Sequence, residues 1–208
     1  NINYKLLPMK KLGTLIAAAA ILAFVGCKNE KKDMDSMDDM NDSIQMNSEN
    51  QEDMKMEEAK TLSVMMESKS KSTAQGEAYF TEENGVVKLE AKFTGLTPGT
   101  HAIHLHEKAD CSADDATSAG GHWNPTHSKH GKWGDAEGYH KGDIGNFEAD
   151  ADGVGKVSMQ TDEWCIGCGD ETKDILGKAV IVHEGKDDFT TQPTGDAGGR
   201  VSCGGIIK

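Results

Sequence analysis

Between residue 60 and the C-terminus, short segments alternate apolar and polar residues eight times, and no stretch there keeps a helical period. Successive side chains of a strand point to opposite faces, so this alternation is typical of strands with one buried face. The segments are 61–67, 77–81, 86–93, 101–106, 144–149, 155–159, 178–183 and 201–207. Eight short strands close on themselves or pack as two sheets, so the pattern predicts an all-β barrel or sandwich.

Tight turns join several predicted strands, whereas two connections are long. Asn84-Gly85 suits a type I′ hairpin, and Pro98-Gly99 and Asp152-Gly153 supply other reversals. The long connections cover 108–142 and 185–199. Long loops in a compact domain are usually functional or disordered. We therefore expect the chemistry to lie on loops that a rigid β frame supports.

The N-terminal residues have the character of a targeting segment. Two lysines precede an apolar stretch that is fourteen residues long, 12–25, the length of a signal-peptide core. A small residue and Cys27 follow, which resembles a bacterial lipobox whose cysteine becomes lipidated. We expect 1–26 to be a signal peptide, with 1–8 upstream of the true start. The alternative is an uncleaved anchor over 12–25. Either interpretation predicts export, to the periplasm or the outer membrane as a lipid-anchored protein.

Residues 27–59 are predicted to be the lipidated cysteine and a disordered tether. Residues 28–59 hold eleven acidic residues, four lysines, six methionines and no aromatic residue. Too little apolar surface and too much like charge oppose ordering. The methionines could collect Cu(I), because thioether is a soft ligand, or could be ordinary linker residues. With a net charge of −13 for the chain, no nucleic-acid partner is expected.

Four cysteines remain after Cys27, an even number that is consistent with two disulfides in an exported domain. Cys111 lies in the first long connection and Cys203 in the last predicted strand, so a bond between them would clamp that connection to the β frame. Cys165 and Cys168 form a CxxC pair. This pair suits a local disulfide, a redox pair or half a zinc site.

The histidines are concentrated as metal ligands would be. Seven of the eight lie between residues 101 and 140, and His183 lies in an apolar predicted strand. His104 and His106 are two residues apart on a strand, so both side chains emerge on one face and can bind one metal. A lone buried His183 would be satisfied by a backbone hydrogen bond, but beside this pair it indicates a third ligand.

The first long connection carries a second ligand pattern. His122, His130, His140 and Asp143 are spaced His-x7-His-x9-His-x2-Asp, and three imidazoles with one carboxylate form a tetrahedral zinc set. Seven ligand residues serve two metals of four ligands each if one histidine bridges as imidazolate. His122, the first of the loop ligands, is the natural candidate.

Together these motifs resemble copper/zinc superoxide dismutase over the whole of 60–208. The matching runs are His104-Leu105-His106-Glu107, Cys111, Gly121-His122-Trp123-Asn124-Pro125, His130, His140, Gly142-Asp143, Val182-His183-Glu184, Gly195-Asp196-Ala197-Gly198-Gly199-Arg200 and Cys203-Gly204. The resemblance implies an eight-stranded Greek-key β-barrel, an immunoglobulin-like sandwich with two long functional loops. It also implies one copper and one zinc per subunit, superoxide as substrate, and a homodimer as one allowed assembly.

The resemblance also assigns residues. It implies copper on His104, His106, His122 and His183, and zinc on His122, His130, His140 and Asp143. It further implies a Cys111–Cys203 disulfide, an anion-guiding Arg200, and Asp187 as the carboxylate that links a copper histidine to a zinc histidine. The implied reaction is dismutation of superoxide to dioxygen and hydrogen peroxide. Copper would be reduced and reoxidised in turn, with the bridging His122 carrying a proton.

Three features depart from the animal enzymes of this family. The segment 187–194 is shorter and has no lysine, the His130–His140 spacing is one residue longer, and the CxxC pair has no counterpart. Two rival functions stay open at this point: copper storage or transfer on the same fold, and redox chemistry at Cys165 and Cys168. The complete zinc set and Arg200 favour the enzyme, because a copper carrier needs neither.

Overall fold

The computed structural model describes residues 59–208, and these contain eight strands and one short 3-10 helix, Thr117–Ala119. The strands are β1 (Lys60–Ser68), β2 (Gln75–Glu83), β3 (Val86–Thr94), β4 (Gly99–His106), β5 (Gly145–Ala149), β6 (Gly155–Thr161), β7 (Ala179–His183) and β8 (Arg200–Gly205). Each predicted strand is present, with ends that differ by a few residues. The predictions for 1–58, including the signal peptide, the lipidated Cys27 and the methionine-rich tether, lie outside the described residues.

The eight strands close into an antiparallel barrel in the order β1-β2-β3-β6-β5-β4-β7-β8. The chain crosses from β3 to β4 without pairing them, because β3 pairs with β6 and β4 pairs with β5 and β7. Pairing of Glu67 with Cys203 joins β1 to β8 and closes the barrel. This crossing confirms the predicted Greek-key barrel. Within residues 59–208, no helix is long and apolar enough to cross a membrane.

Alternating side chains fill the barrel. The inward positions of β3 show the pattern most clearly, since every second residue from Val87 to Phe93 is buried. Burying a valine, leucine or phenylalanine side chain contributes about 1.5–3 kcal/mol. The β2–β3 hairpin fixes the register, and its turn residues Asn84 and Gly85 have φ angles of 51° and 75°. Two positive φ values define the predicted type I′ turn.

The ligand residues lie on the outside of the barrel wall. On β4, Ile103 and Leu105 belong to the barrel core, so His104 and His106 project to the opposite face. That face is nevertheless buried, because the loops cover it. On β7, Val182 points inward and His183 outward by the same alternation.

Three long connections, rather than two, leave the barrel. Those between β4 and β5 (107–144) and between β7 and β8 (184–199) were predicted from the sequence. The third runs over 162–178 between β6 and β7 and contains the CxxC pair. The predicted strands that end at 159 and begin at 178 already imply this connection, and a β-bridge between Cys165 and Asp174 closes it on itself.

Candidate metal centre

Two groups of buried side chains bring their ligand atoms within 4.8 Å of one another. The first group draws on β4, β7 and the β4–β5 connection: His104, His106, His122 and His183. The second group comes entirely from that connection: His122, His130, His140 and Asp143. His122 is common to both groups. The structure therefore brings together all seven ligand residues that the sequence indicated.

Some ring nitrogens of this cluster are buried without a partner. Within residues 59–208, His104 Nδ1 and His122 Nε2 have no hydrogen-bond partner, whereas Nδ1 of His130 and Nδ1 of His140 face the Asp143 carboxylate at 3.0 and 3.2 Å. Buried polar atoms are nearly always hydrogen-bonded, and each exception needs an explanation. Nε2 of His106 and Nε2 of His183 also face each other at 3.4 Å. Lone pairs that converge in this way suit a cation, so the residues fit a metal in each group.

The opposite ring nitrogens are fixed by acceptors. His106 Nδ1 donates to the Gly120 carbonyl at 2.9 Å, and His183 Nδ1 lies 3.3 Å from the Gly198 carbonyl. When Nδ1 carries the proton, Nε2 carries the lone pair that can bind a metal. Hydrogen-bond acceptors at Nδ1 therefore set the tautomer and orientation of metal-binding histidines. The sequence did not predict the roles of the Gly120 and Gly198 carbonyls, because every residue has a backbone carbonyl and residue type does not show which one accepts a hydrogen bond.

Asp187 connects the two groups, as predicted. His104 Nε2 lies 2.8 Å from its Oδ2, and His130 Nε2 lies 2.8 Å from its Oδ1. Gly195 allows this arrangement, because a Cβ at that residue would lie 1.8 Å from Asp187 Oδ1. With Nε2 of each ring donating to the carboxylate, Nδ1 of His104 and of His130 are directed into separate ligand groups.

His122 is the residue whose two nitrogens both face the cluster. Its Nδ1 lies 2.9 Å from Asp143 Oδ1 in the second group, and its Nε2 is the partnerless atom directed at the first. The ring centroid lies 3.9 Å from that of His104 and 5.6 Å from that of His140. A single imidazole in this position can serve two cations.

The rings of the first group are neutral near pH 7. Burial lowers the pKa of His104, and hydrogen bonding to Asp187 offsets only part of this effect. Burial and neighbouring rings hold the pKa values of His106 and His183 well below 6.5. Burial also lowers the pKa of His122 to about 4, despite its hydrogen bond with Asp143. Neutral imidazole is the form that binds metals.

The second group contains an ion pair in the metal-free protein. Burial lowers the pKa of His130, but hydrogen bonds with Asp143 and Asp187 outweigh this and raise it to about 9. Burial raises the pKa of Asp143, yet bonds with three histidines hold it well below its usual range. Burial also raises the pKa of Asp187, but its hydrogen bonds with His104 and His130 outweigh this and lower that pKa below its usual range. Both carboxylates are therefore ionised at neutral pH.

The β4–β5 connection is pinned against β4 by its backbone. Leu105 N–H donates to the Gly142 carbonyl, and Trp123 N–H donates to the Leu105 carbonyl, each at 2.8 Å. A Cβ on Gly142 would approach the Leu105 carbonyl oxygen to 2.2 Å, so only glycine fits there. These contacts place His122 and Asp143, which adjoin the pinned residues, beside the strand histidines.

Arg200 lies at the start of β8, half-buried beside the first group. Its guanidinium donates to the Ala116 carbonyl at 2.7 Å and to the Gly120 carbonyl at 2.8 Å. The Gly120 carbonyl also accepts from His106, so one oxygen joins the cation to a ligand ring. A Cys111–Cys203 disulfide, with Cα atoms 5.8 Å apart, ties the same loop to β8.

The CxxC pair forms a local disulfide, the first of the three interpretations left open by the sequence. Asp174 lies beside it, but its carboxylate accepts backbone N–H groups from Gly167, Gly169 and Leu176. Those bonds account for the lowered pKa of Asp174, which burial opposes. The disulfide and this carboxylate therefore shape the β6–β7 connection.

The barrel and its loops match known proteins. A family described as "Copper/zinc superoxide dismutase (SODC)" matches residues 74–206. A relative named Superoxide dismutase (Cu-Zn) 2, from Mesembryanthemum crystallinum, is 38% identical over 132 residues, which cover 61% of this chain and 81% of that protein. The matched ranges include most of the barrel.

Solved structures agree with this result. The double mutant of a SOD-like protein from Bacillus subtilis superposes with a TM-score of 0.62 at 32% identity, covering 70% of this chain and 97% of that one. The clock protein EA4 gives a TM-score of 0.61 at 33% identity, with 71% and 94% covered.

Proposed function

The chain belongs to the copper/zinc superoxide dismutase family, and we propose that it is an exported, lipid-anchored enzyme that dismutates superoxide. The family's enzymes are oxidoreductases that use copper and zinc. The observation that carries the proposal is a set of four ring nitrogens that converge inside a buried cluster, two of them without a partner and two facing the Asp143 carboxylate. Such nitrogens are costly to bury unless cations occupy both ligand groups.

The donor chemistry supports one metal for each group. The second group contains a carboxylate with three imidazoles, a tetrahedral set that suits zinc. The first group contains four imidazoles and no carboxylate, which suits copper. On this proposal copper binds His104, His106, His122 and His183, and zinc binds His122, His130, His140 and Asp143.

Copper held by His104, His106, His122 and His183 would supply the one-electron redox chemistry that couples the oxidation of one superoxide ion to the reduction of a second. Two superoxide ions and two protons thereby give one dioxygen and one hydrogen peroxide. The protein's part is to hold a proton and admit an anion. His122 Nε2 is positioned to hold that proton, while Nδ1 stays with the zinc group.

Arg200 provides the local positive charge that an anionic substrate needs. A guanidinium does not lose its proton near neutral pH, unlike the neighbouring imidazoles. Its bonds to the Ala116 and Gly120 carbonyls hold the cation beside the copper group. This placement supports a role for Arg200 in guiding superoxide.

The test compares superoxide dismutation by the copper- and zinc-loaded full chain with that by a His183→Ala variant. We expect activity to fall to background, because removing this imidazole leaves three copper ligands. His127→Ala is the matched control, since His127 is an exposed histidine of the β4–β5 connection and belongs to neither group. Full activity in His183→Ala would overturn the copper assignment. A native chain that binds copper tightly but does not dismutate superoxide would favour copper storage instead.

A further inference from the structure

The β6–β7 connection holds the residues on both sides of the ligand His140. The Tyr139 hydroxyl donates to Glu163 Oε1 at 2.5 Å. The Lys141 ammonium pairs with the other oxygen of the same carboxylate. Trp164, the next residue, donates its indole N–H to the Lys141 carbonyl at 2.8 Å. Two consecutive residues therefore make three polar contacts to the flanks of one metal ligand.

His140 needs such support more than the other terminal ligands do. His104 and His130 are oriented by Asp187, whereas His106 and His183 are oriented by backbone carbonyls. In the part of the chain that the structure describes, His140 Nε2 makes no hydrogen bond, and the ring is near a carboxylate only through Nδ1, 3.2 Å from its fellow ligand Asp143. The direction of this ring therefore depends on the chain at 139–141, where Glu163 holds the side chains of Tyr139 and Lys141 and Trp164 holds the Lys141 carbonyl.

Glu163 and Trp164 are themselves held firmly against the barrel. Trp164 is 1% exposed, and its ring contacts Phe80 of the barrel core and the edge of Trp133. Cys165 follows directly, and its backbone pairs with Lys173 and Ile175 at 2.8 and 3.1 Å. A disulfide between Cys165 and Cys168 then closes residues 165–168. The buried tryptophan and the paired backbone thus fix Glu163 relative to the barrel.

We propose that Glu163 is a positioning residue for the zinc site, acting on His140 through Tyr139 and Lys141. The proposal rests on the proposed function, because it takes zinc to be the metal of the second group. A carboxylate that orients a ligand without touching the metal typically changes metal affinity about 10–100-fold. The Glu163–Lys141 pair is partly exposed, with side-chain exposures of 28% and 19%, so it adds little to folding stability.

Zinc affinity of the full chain, measured by competition with a chromophoric chelator after metal removal, tests this role. We expect Glu163→Ala to bind Zn²⁺ at least about tenfold more weakly than the native chain, with copper affinity unchanged. Glu163→Gln should give an intermediate affinity, because its amide oxygen still accepts from Tyr139 while the ion pair is lost. The absorption bands of Co²⁺ bound in place of zinc should shift in Glu163→Ala, since its ligand geometry changes.

Glu171→Ala is the matched control, because Glu171 is an exposed acidic residue of the same connection. Equal zinc affinities in Glu163→Ala and Glu171→Ala, with an unchanged Co²⁺ spectrum, would overturn the positioning role. Parallel loss of copper affinity, zinc affinity and melting temperature would overturn it as well, because general destabilisation would then explain the result. A native chain that binds no zinc would instead contradict the proposed function, so the two failures are distinguishable.

Discussion

At the scale of single residues, His130 stands apart because it keeps its proton in the metal-free protein. Its ring lies between Asp143 and Asp187, which raise its pKa to about 9 against the lowering effect of burial. Metal binding requires the neutral ring. At pH 8 His130 is still protonated, whereas a histidine with the ordinary pKa of 6.5 is neutral. Zinc binding at this pH must therefore displace a proton from His130.

We expect zinc binding at pH 8 to release about one more proton per metal than binding at pH 10, because His130 is largely deprotonated above its pKa of about 9. Calorimetric titration in buffers of different ionisation enthalpy measures this number. His130→Gln provides the control, since it removes the titrating ring. Equal proton release at both pH values would contradict the prediction.

The same charge makes the stability of the metal-free protein depend on pH. The folded pKa of His130 lies above its unfolded value of 6.5, so its contribution is fully present below about pH 6.5 and is lost as pH rises through about 9. The depressed pKa values of Asp143 and Asp187 act in the opposite direction. Their contributions are present above the unfolded value of 3.8 and are lost as pH falls through the folded values.

Arg200 should control the encounter with substrate. The chain has a net charge of −13, so attraction of superoxide must be local. We expect Arg200→Ala to lower kcat/KM roughly tenfold or more at low salt, and the difference to shrink as salt screens the charge. Stopped-flow dismutation at several ionic strengths measures both effects.

Arg200→Lys separates charge from geometry. It keeps the cation but loses the fork that binds two carbonyls, so we expect an intermediate rate with retained salt dependence. A rate for Arg200→Ala that equals the native rate at every ionic strength would rule out guidance by this residue.

At the scale of elements, the two disulfides restrain very different lengths of chain. Cys111–Cys203 links residues 92 apart, between the β4–β5 connection and β8, whereas Cys165–Cys168 links residues three apart. In the chain-entropy model the long link stabilises the fold by about 4.5 kcal/mol and the short one by about 2 kcal/mol. The long link also ties the loop that contacts Arg200 to the strand that carries it.

We expect a Cys111→Ser/Cys203→Ser variant to lose roughly twice as much unfolding free energy as a Cys165→Ser/Cys168→Ser variant, because it frees the longer loop. Denaturant unfolding of the metal-free proteins measures the difference. The second pair serves as the matched control, since both variants lose one bond and two sulfurs. Equal losses would show that loop length does not govern these bonds.

At the scale of the whole molecule, the export prediction stays open, because its determinants lie outside residues 59–208. We expect the native chain, expressed in a bacterial host, to incorporate labelled fatty acid and to sediment with membranes. Cys27→Ser should lose the label and appear in the soluble fraction after processing. Membrane association that persists in Cys27→Ser would favour the uncleaved anchor over 12–25. A homodimer likewise stays a prediction.

Much of the barrel could be predicted because strand alternation is local. Each of the eight strands was recognisable, and the Asn84-Gly85 turn followed from the need for positive φ. Strand order is set by contacts between distant segments, such as the β3–β6 pairing. The Greek-key order therefore came from the resemblance to a family rather than from the alternation itself.

The sequence by itself determined the ligand chemistry. The imidazole and carboxylate groups belong to the residue types, and folding does not change their spacing along the chain. Only the tertiary structure decided which nitrogen of each ring is free, because that depends on acceptors such as the Gly120 and Gly198 carbonyls. It also decided that Glu163 lies against Tyr139 and Lys141, more than twenty residues away along the chain. Contacts of this kind form when the loops pack on the barrel, and no local pattern encodes them.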